Sequence, residues 1–120
     1  MNKYAFWNNK GGTGKTTLCF QLLCQYAIDH PDKRVLVVDV CPQANLSELL
    51  LGGLVGSGSD NLMKIQGQAK RATIGGYIQD KLPNPYSSLN INFFDYVTIP
   101  NQYNENIPSN ILLICGDPML

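Results

Sequence analysis

The chain has 120 residues, 44% of them apolar and 15% charged, the balance of one small globular domain and not of a disordered segment. Nine basic residues match nine acidic ones, so no net field draws the chain to nucleic acid or an anionic membrane, and only a local patch could do so. No run approaches the roughly 20 apolar residues that span a bilayer or resembles a signal peptide; Cys19, Cys24, Cys41 and Cys115 lack CxxC or Cys/His spacing, which argues against a zinc site or disulfide framework and for free thiols in a cytoplasmic protein.

In chain order the first predicted element is a strand, YAFWN at 4–8, with Trp7 packing at its end. A Gly-rich loop follows, and TTLCFQLLCQYAIDH then carries apolar residues at Leu18, Leu22, Gln25/Tyr26 and Ala27 at helical spacing. HPDKR stops this helix, and His30 within it is expected to be solvated. RVLVVDV at 34–40 reads as a second strand. ANLSELLLGG reads as a short helix closed by Gly52 and Gly53, with a flexible Gly/Ser loop near 52–60. The segment 61–82 predicts one or two helices broken near Gly75 and Gly76, and its basic residues in KIQGQAKR are too few for a DNA groove. FFDYVTI is either an extra strand or loop, and ILLIC at 111–115 is a third buried strand. The apolar residues of these strands run on without alternating, as in a parallel sheet covered by helices on both faces. The expected fold is therefore α/β, a mostly parallel sheet flanked by helices, with about three core strands where such sheets usually have five or more. That thinness suggests that residues 1–120 are the N-terminal portion of a single larger domain.

The strongest chemical signal is NNKGGTGKTT, residues 8–17, set where a strand ends and a helix begins. Gly11, Gly12 and Gly14 let successive backbone N–H groups turn inward toward phosphate oxygens, conformations that a Cβ resists. Lys15 supplies a cation for the β- and γ-phosphates, the Thr16 hydroxyl suits a Mg²⁺ that bridges them, and the helix start adds its positive end. The remaining cradle positions are Asn9, Lys10, Thr13 and Thr17. KGGxGKTT fixes seven positions, and its chance occurrence in such a chain is on the order of one in a million.

This loop has Asn9 where the usual first glycine of a P-loop falls, and Lys10 directly before the glycine pair. In these features the chain resembles the deviant Walker A P-loop ATPases of the ParA/MinD (SIMIBI) type, whose hallmark is KGGxGKT. RVLVVDVCPQANLSELLLG resembles that family's second motif, a strand ending D-x-D-P-Q, and NILLICGDPML is similar to its next strand. The resemblance implies a P-loop NTPase fold, ATP and Mg²⁺ as cofactors, and an ATP-dependent homodimer that acts as a molecular switch. It implies that Lys15 is the P-loop lysine, that Lys10 reaches the ATP of the other subunit, that Thr16 and Asp39 lie at the Mg²⁺, and that Cys41 holds the place of the second aspartate, which positions the attacking water. Adenine-contacting residues, and any surface for DNA or a protein complex, would lie beyond Leu120. Read from the residues alone, Lys10 instead only adds positive potential, and Asp39 instead caps the NLSELL helix.

Cys41 is the departure. A carboxylate there orients water in line with the γ-phosphate, whereas a thiol is a weak acceptor and a thiolate is disfavoured beside polyphosphate. The expected activity is slow Mg²⁺-dependent ATP hydrolysis, unless a residue beyond Leu120 positions the water. The alternative is an ATP-binding regulatory or assembly subunit with negligible hydrolysis. A small-molecule kinase would need a lid arginine, with only Arg34 and Arg71 available, and a GTPase would need the NKxD motif that the chain lacks.

Overall fold

The computed structural model describes residues 14–68, 70–81 and 93–118. Helix α1 (Lys15–Asp29) leads into strand β1 (Val35–Val38), followed by α2 (Asn45–Leu50), α3 (Gly58–Gln66) and α4 (Ile74–Lys81). Two 3-10 turns, Phe93–Tyr96 and Pro100–Gln102, precede strand β2 (Ile111–Ile114). The strands are parallel neighbours in register, Val35 opposite Ile111 through Val38 opposite Ile114. A parallel pair needs a long crossover, and here it runs through α2, α3 and α4.

Even-numbered carbonyls of β2 face β1: those of Asn110 and Ile114 accept from Val35 N and Asp39 N. On the opposite edge Leu113 exchanges both bonds with Thr98, and the Cys115 carbonyl accepts from Ile74 N. The segment weighed as an extra strand thus contributes one antiparallel bridge, at Thr98. Phe93–Tyr96 winds into a 3-10 turn before it and Pro100 starts another just after. The strand expected at 4–8 lies outside the described residues.

The core lies on one face of this sheet. Val35, Val37, Ile111, Leu113 and Cys115 meet Phe20, Leu23, Cys24 and Ala27 of α1, Leu46 and Leu50 of α2, and Leu62 and Ile65 of α3. The α1 residues are spaced i, i+3, i+4 and i+7, so the helix was correctly expected but not its inward face: Leu18 and Leu22 are half exposed. Leu36, Val38 and Val40 point to the other side of β1 and are also half exposed, so among the described residues β1 is covered on one face only, not both.

Two further expectations are corrected. The loop expected over 52–60 is shorter, because Gly58–Asp60 open α3. It is closed by backbone bonds from Gly53 N to Glu48 O, Gly56 N to Gly52 O and Gly58 N to Gly53 O. The break between α3 and α4 falls before Thr73, and Gly75 and Gly76 lie in the first turn of α4. A Cβ on Gly75 would come within 2.8 Å of the Asp117 carboxylate, and one on Gly76 within 2.2 Å of the Arg71 carbonyl. These glycines permit close approach and do not end a helix.

Asn110, just before β2, donates through Nδ2 toward the carbonyls of Ala27, His30 and Lys33 at 3.0, 3.2 and 2.8 Å. It ties the last turn of α1 to the sheet. His30 is half-buried there, stacked on Tyr26 with ring centroids 4.2 Å apart, so it is packed and not simply solvated.

Candidate functional site

The first turn of α1 starts from Gly14, whose φ of 78° is left-handed. Among the described residues a Cβ there would meet nothing within 4 Å, and the left-handed conformation is itself what favours glycine. The first helical bond runs from Leu18 N to Gly14 O. Among the described residues the N–H groups of Lys15, Thr16 and Thr17 are therefore the unpaired donors that a helix start leaves, and the turn has no acidic side chain. Lys15 and Thr16 are half-buried and Thr17 is exposed. Such a turn attracts anions by its N–H groups and its dipole together. Asn9, Lys10, Gly11, Gly12 and Thr13 lie outside the described residues.

Asp39 sits at the carboxyl end of β1, 5% exposed. Its Oδ1 accepts from Cys41 N at 3.1 Å, and its Oδ2 accepts from Ser47 N at 3.1 Å and Ser47 Oγ at 2.7 Å. Ser47 Oγ in turn accepts from Gly116 N at 3.0 Å, just past the end of β2. Asp39 therefore caps the first turn of α2, as one reading of the sequence had it. Capping does not exhaust it: Oδ2 has both acceptor directions filled, while Oδ1 receives one bond among the described residues and keeps room for another.

The Cys19 thiol, one turn after Lys15, is pushed up first by burial and then by the Asp39 carboxylate, while the Lys15 ammonium pulls it down. Cys19 thus senses both charges. Cys24 is raised by burial alone, as expected of a small apolar filler.

Cys41 is exposed and its thiol is free. Its backbone holds the turn: the N–H goes to Asp39 and the carbonyl accepts from Ala44 N at 3.0 Å. Ala44 is itself left-handed, φ 55°, an unfavourable state for alanine that the buried turn enforces. A Cβ on Gly116 would come within 2.7 Å of the Cys41 carbonyl, so the end of β2 packs directly on this turn.

Among the described residues no three His, Cys, Asp or Glu side chains converge as a metal cage. Mg²⁺ needs none, because it is ordinarily held by one or two protein oxygens, phosphate and water. A hydroxyl like that of Thr16 and a carboxylate oxygen like Asp39 Oδ1 are of the donor types that such a shell takes. A cleft of about 270 Å³ beside α2 and α3, lined by Asn45, Glu48, Leu49, Gly53, Leu54 and Ser59, includes none of the predicted site residues.

Two groups of residues were not foreseen. Ser47 is one; its only signal was a hydroxyl in the first turn of the helix after Asp39. The other is around Asp117, whose side chain is fully buried and paired with Arg71. Thr73 Oγ1 donates to Asp117 Oδ2 at 2.6 Å and accepts from Gly76 N at 2.9 Å, capping α4. Lys70 pairs with Asp95 at 2.9 Å. Two of the three basic residues of KIQGQAKR are thereby paired with carboxylates.

A parallel sheet with a glycine-started helix and a carboxylate at a strand's carboxyl end is an arrangement common among α/β nucleotide-binding proteins. The family model described as "CobQ/CobB/MinD/ParA nucleotide binding domain" matches residues 4–116, and the chain belongs to that family. It is 46% identical over 57 residues to the virulence plasmid ParA family protein pGP5-D of Chlamydia muridarum, covering 48% of this chain and 21% of that protein. It is 39% identical over 46 residues to the ATPase GET3 of Scheffersomyces stipitis, covering 38% of this chain and 13% of that protein. The chain thus spans about one fifth or less of the relatives it matches. No solved structure matches it.

Proposed function

We propose that the chain is the N-terminal portion of a ParA/MinD-type ATP-dependent switch with a deviant Walker A loop. The observation that supports this is the helix start at left-handed Gly14, with no acidic side chain in its first turn, in a chain whose residues 4–116 match a nucleotide-binding domain family. Asn9 to Thr17 cradle the phosphates of ATP, with Lys15 and the free N–H groups of the first turn binding the β- and γ-oxygens. Thr16 holds Mg²⁺, whose charge offsets that of the phosphates, and Asp39 orients water on it. Lys10 reaches across to the nucleotide of a second copy, which makes the ATP state a dimer. The switch serves partitioning or positioning of DNA or of a protein complex through surfaces outside this chain.

Cys41 favours a second reading within the same site, an ATP-binding regulatory subunit with negligible hydrolysis. Its thiol is exposed beside Asp39 but offers weak acceptance to water. Of the two arginines in residues 1–120, Arg71 is committed to Asp117, which leaves Arg34 as the lid cation that a kinase would draw from this portion.

The test is binding of a fluorescent ATP analogue with and without Mg²⁺, against the GTP analogue, followed by sizing in each nucleotide state. Mg²⁺-dependent preference for ATP with a shift to dimer is expected. No nucleotide binding by the wild-type protein would overturn the reading.

A further inference from the structure

We infer that Ser47 is a positioning residue that sets the Asp39 carboxylate for its task at Mg²⁺; this rests on the proposed nucleotide site. Ser47 is fully buried, so its hydroxyl has no solvent alternative. A hydroxyl has one proton to give. Because Ser47 Oγ accepts Gly116 N at 3.0 Å, that proton is left for Asp39 Oδ2, which lies at 2.7 Å. The Ser47 backbone N–H reaches the same oxygen at 3.1 Å, so one residue supplies two of the three donors that Asp39 receives among the described residues.

The consequence is a choice between the two carboxylate oxygens. Oδ2 is saturated and turned toward α2, which leaves Oδ1, held among the described residues by Cys41 N alone, as the oxygen able to meet a Mg²⁺-bound water. The bond from Gly116 also makes Ser47 the joint between the ends of the two strands, since Asp39 follows β1 and Gly116 follows β2. A serine that only capped α2 would need its hydroxyl to do neither.

The experiment measures binding of the fluorescent ATP analogue by the purified protein as Mg²⁺ is titrated, and again in EDTA. Ser47→Ala is expected to lower the apparent Mg²⁺ affinity about ten- to a hundredfold, the usual effect of losing an outer-sphere partner, while affinity in EDTA changes less than about twofold. Ser47→Thr, which keeps the hydroxyl, restores most of the loss. In an Asp39→Asn background Ser47→Ala is expected to add less than about twofold, because its effect acts through the carboxylate. Unchanged Mg²⁺ dependence in folded Ser47→Ala, or an equal loss with and without Asp39, overturns the inference while the nucleotide reading stands. Should Ser47→Ala not fold, near-isosteric Ser47→Cys, a much weaker donor, is read in the same way. Absence of Mg²⁺-dependent binding in the wild type would fell the nucleotide reading first, and this inference with it.

Discussion

Removing either charge of the Arg71–Asp117 pair should destabilise the fold well beyond a surface ion pair. Asp117 is 0% exposed and the Arg71 side chain 20%, so water compensates neither loss. In Asp117→Asn the Thr73 hydroxyl still finds an acceptor, but the guanidinium is left mostly buried opposite a neutral amide. In Arg71→Met the carboxylate keeps Thr73 and loses its nearest cation. Breaking a buried pair from one side typically costs about 3 to 5 kcal/mol. We expect about 3 kcal/mol for Asp117→Asn, or roughly 10 °C in Tm for a domain of this size. The double variant should cost less than the sum of the singles by about 2 kcal/mol, since it leaves no lone charge. Urea unfolding followed by far-UV circular dichroism, with a thermal melt, measures all three. Single losses below about 1 kcal/mol, or additivity within about 0.5 kcal/mol, would refute the assignment of this pair as a buried pin between the segment leading into α4 and the end of β2.

Cys41→Asp should raise ATP turnover about a hundredfold with little change in ATP affinity, read by steady-state phosphate release; equal brisk rates would show that another group positions the water. Tyr96 is buried, donates to Asp80, and has its phenol pushed up to about 12 by burial and then by Asp80. The folded state therefore holds this proton more tightly than the unfolded one, so its contribution is complete below about pH 10 and is lost as pH rises from about 10 to 12. The loss should amount to roughly 2 to 3 kcal/mol in alkaline unfolding curves and be absent in Tyr96→Phe. Burial likewise lifts Cys115 to about 12, so a thiol reagent should label exposed Cys41 first and Cys115 only on unfolding, as peptide mapping of the labelled protein would show.

The parts legible in the sequence were those fixed by short-range chemistry. KGGTGKTT and DVCPQ need particular side chains at fixed spacing, and they carried the family. The helix start at Lys15 and the short helix at NLSELL were read from local signals as well. The inward face of α1 was not, because Phe20, Leu22, Leu23 and Leu18 give apolar residues on several sides and only docking selects among them. Gly75 and Gly76 read as breakers on propensity, yet their missing Cβ atoms make room for Asp117 and for the Arg71 backbone. Asp117 itself was opaque, since its cation stands 46 positions away. Asp39 was legible as a site residue, but the division of labour between its oxygens depended on Ser47 and Gly116, which meet only when both strands are formed.

The pairing of β1 with β2 has a consequence for how the chain is made. Among the described residues β1 finds its strand partner only at Ile111, and the Asn110 tie reaches back 83 positions to Ala27. At synthesis rates of about 5–20 residues per second, α1 and β1 wait several seconds for the segment that closes over them. During that interval Phe20, Leu23, Val35 and Val37 have no finished core to enter. Folding of this region is thus gated by β2, and a nascent chain stalled before Asn110 should be a better target for chaperones and proteases than one from which Ile111–Ile114 has emerged.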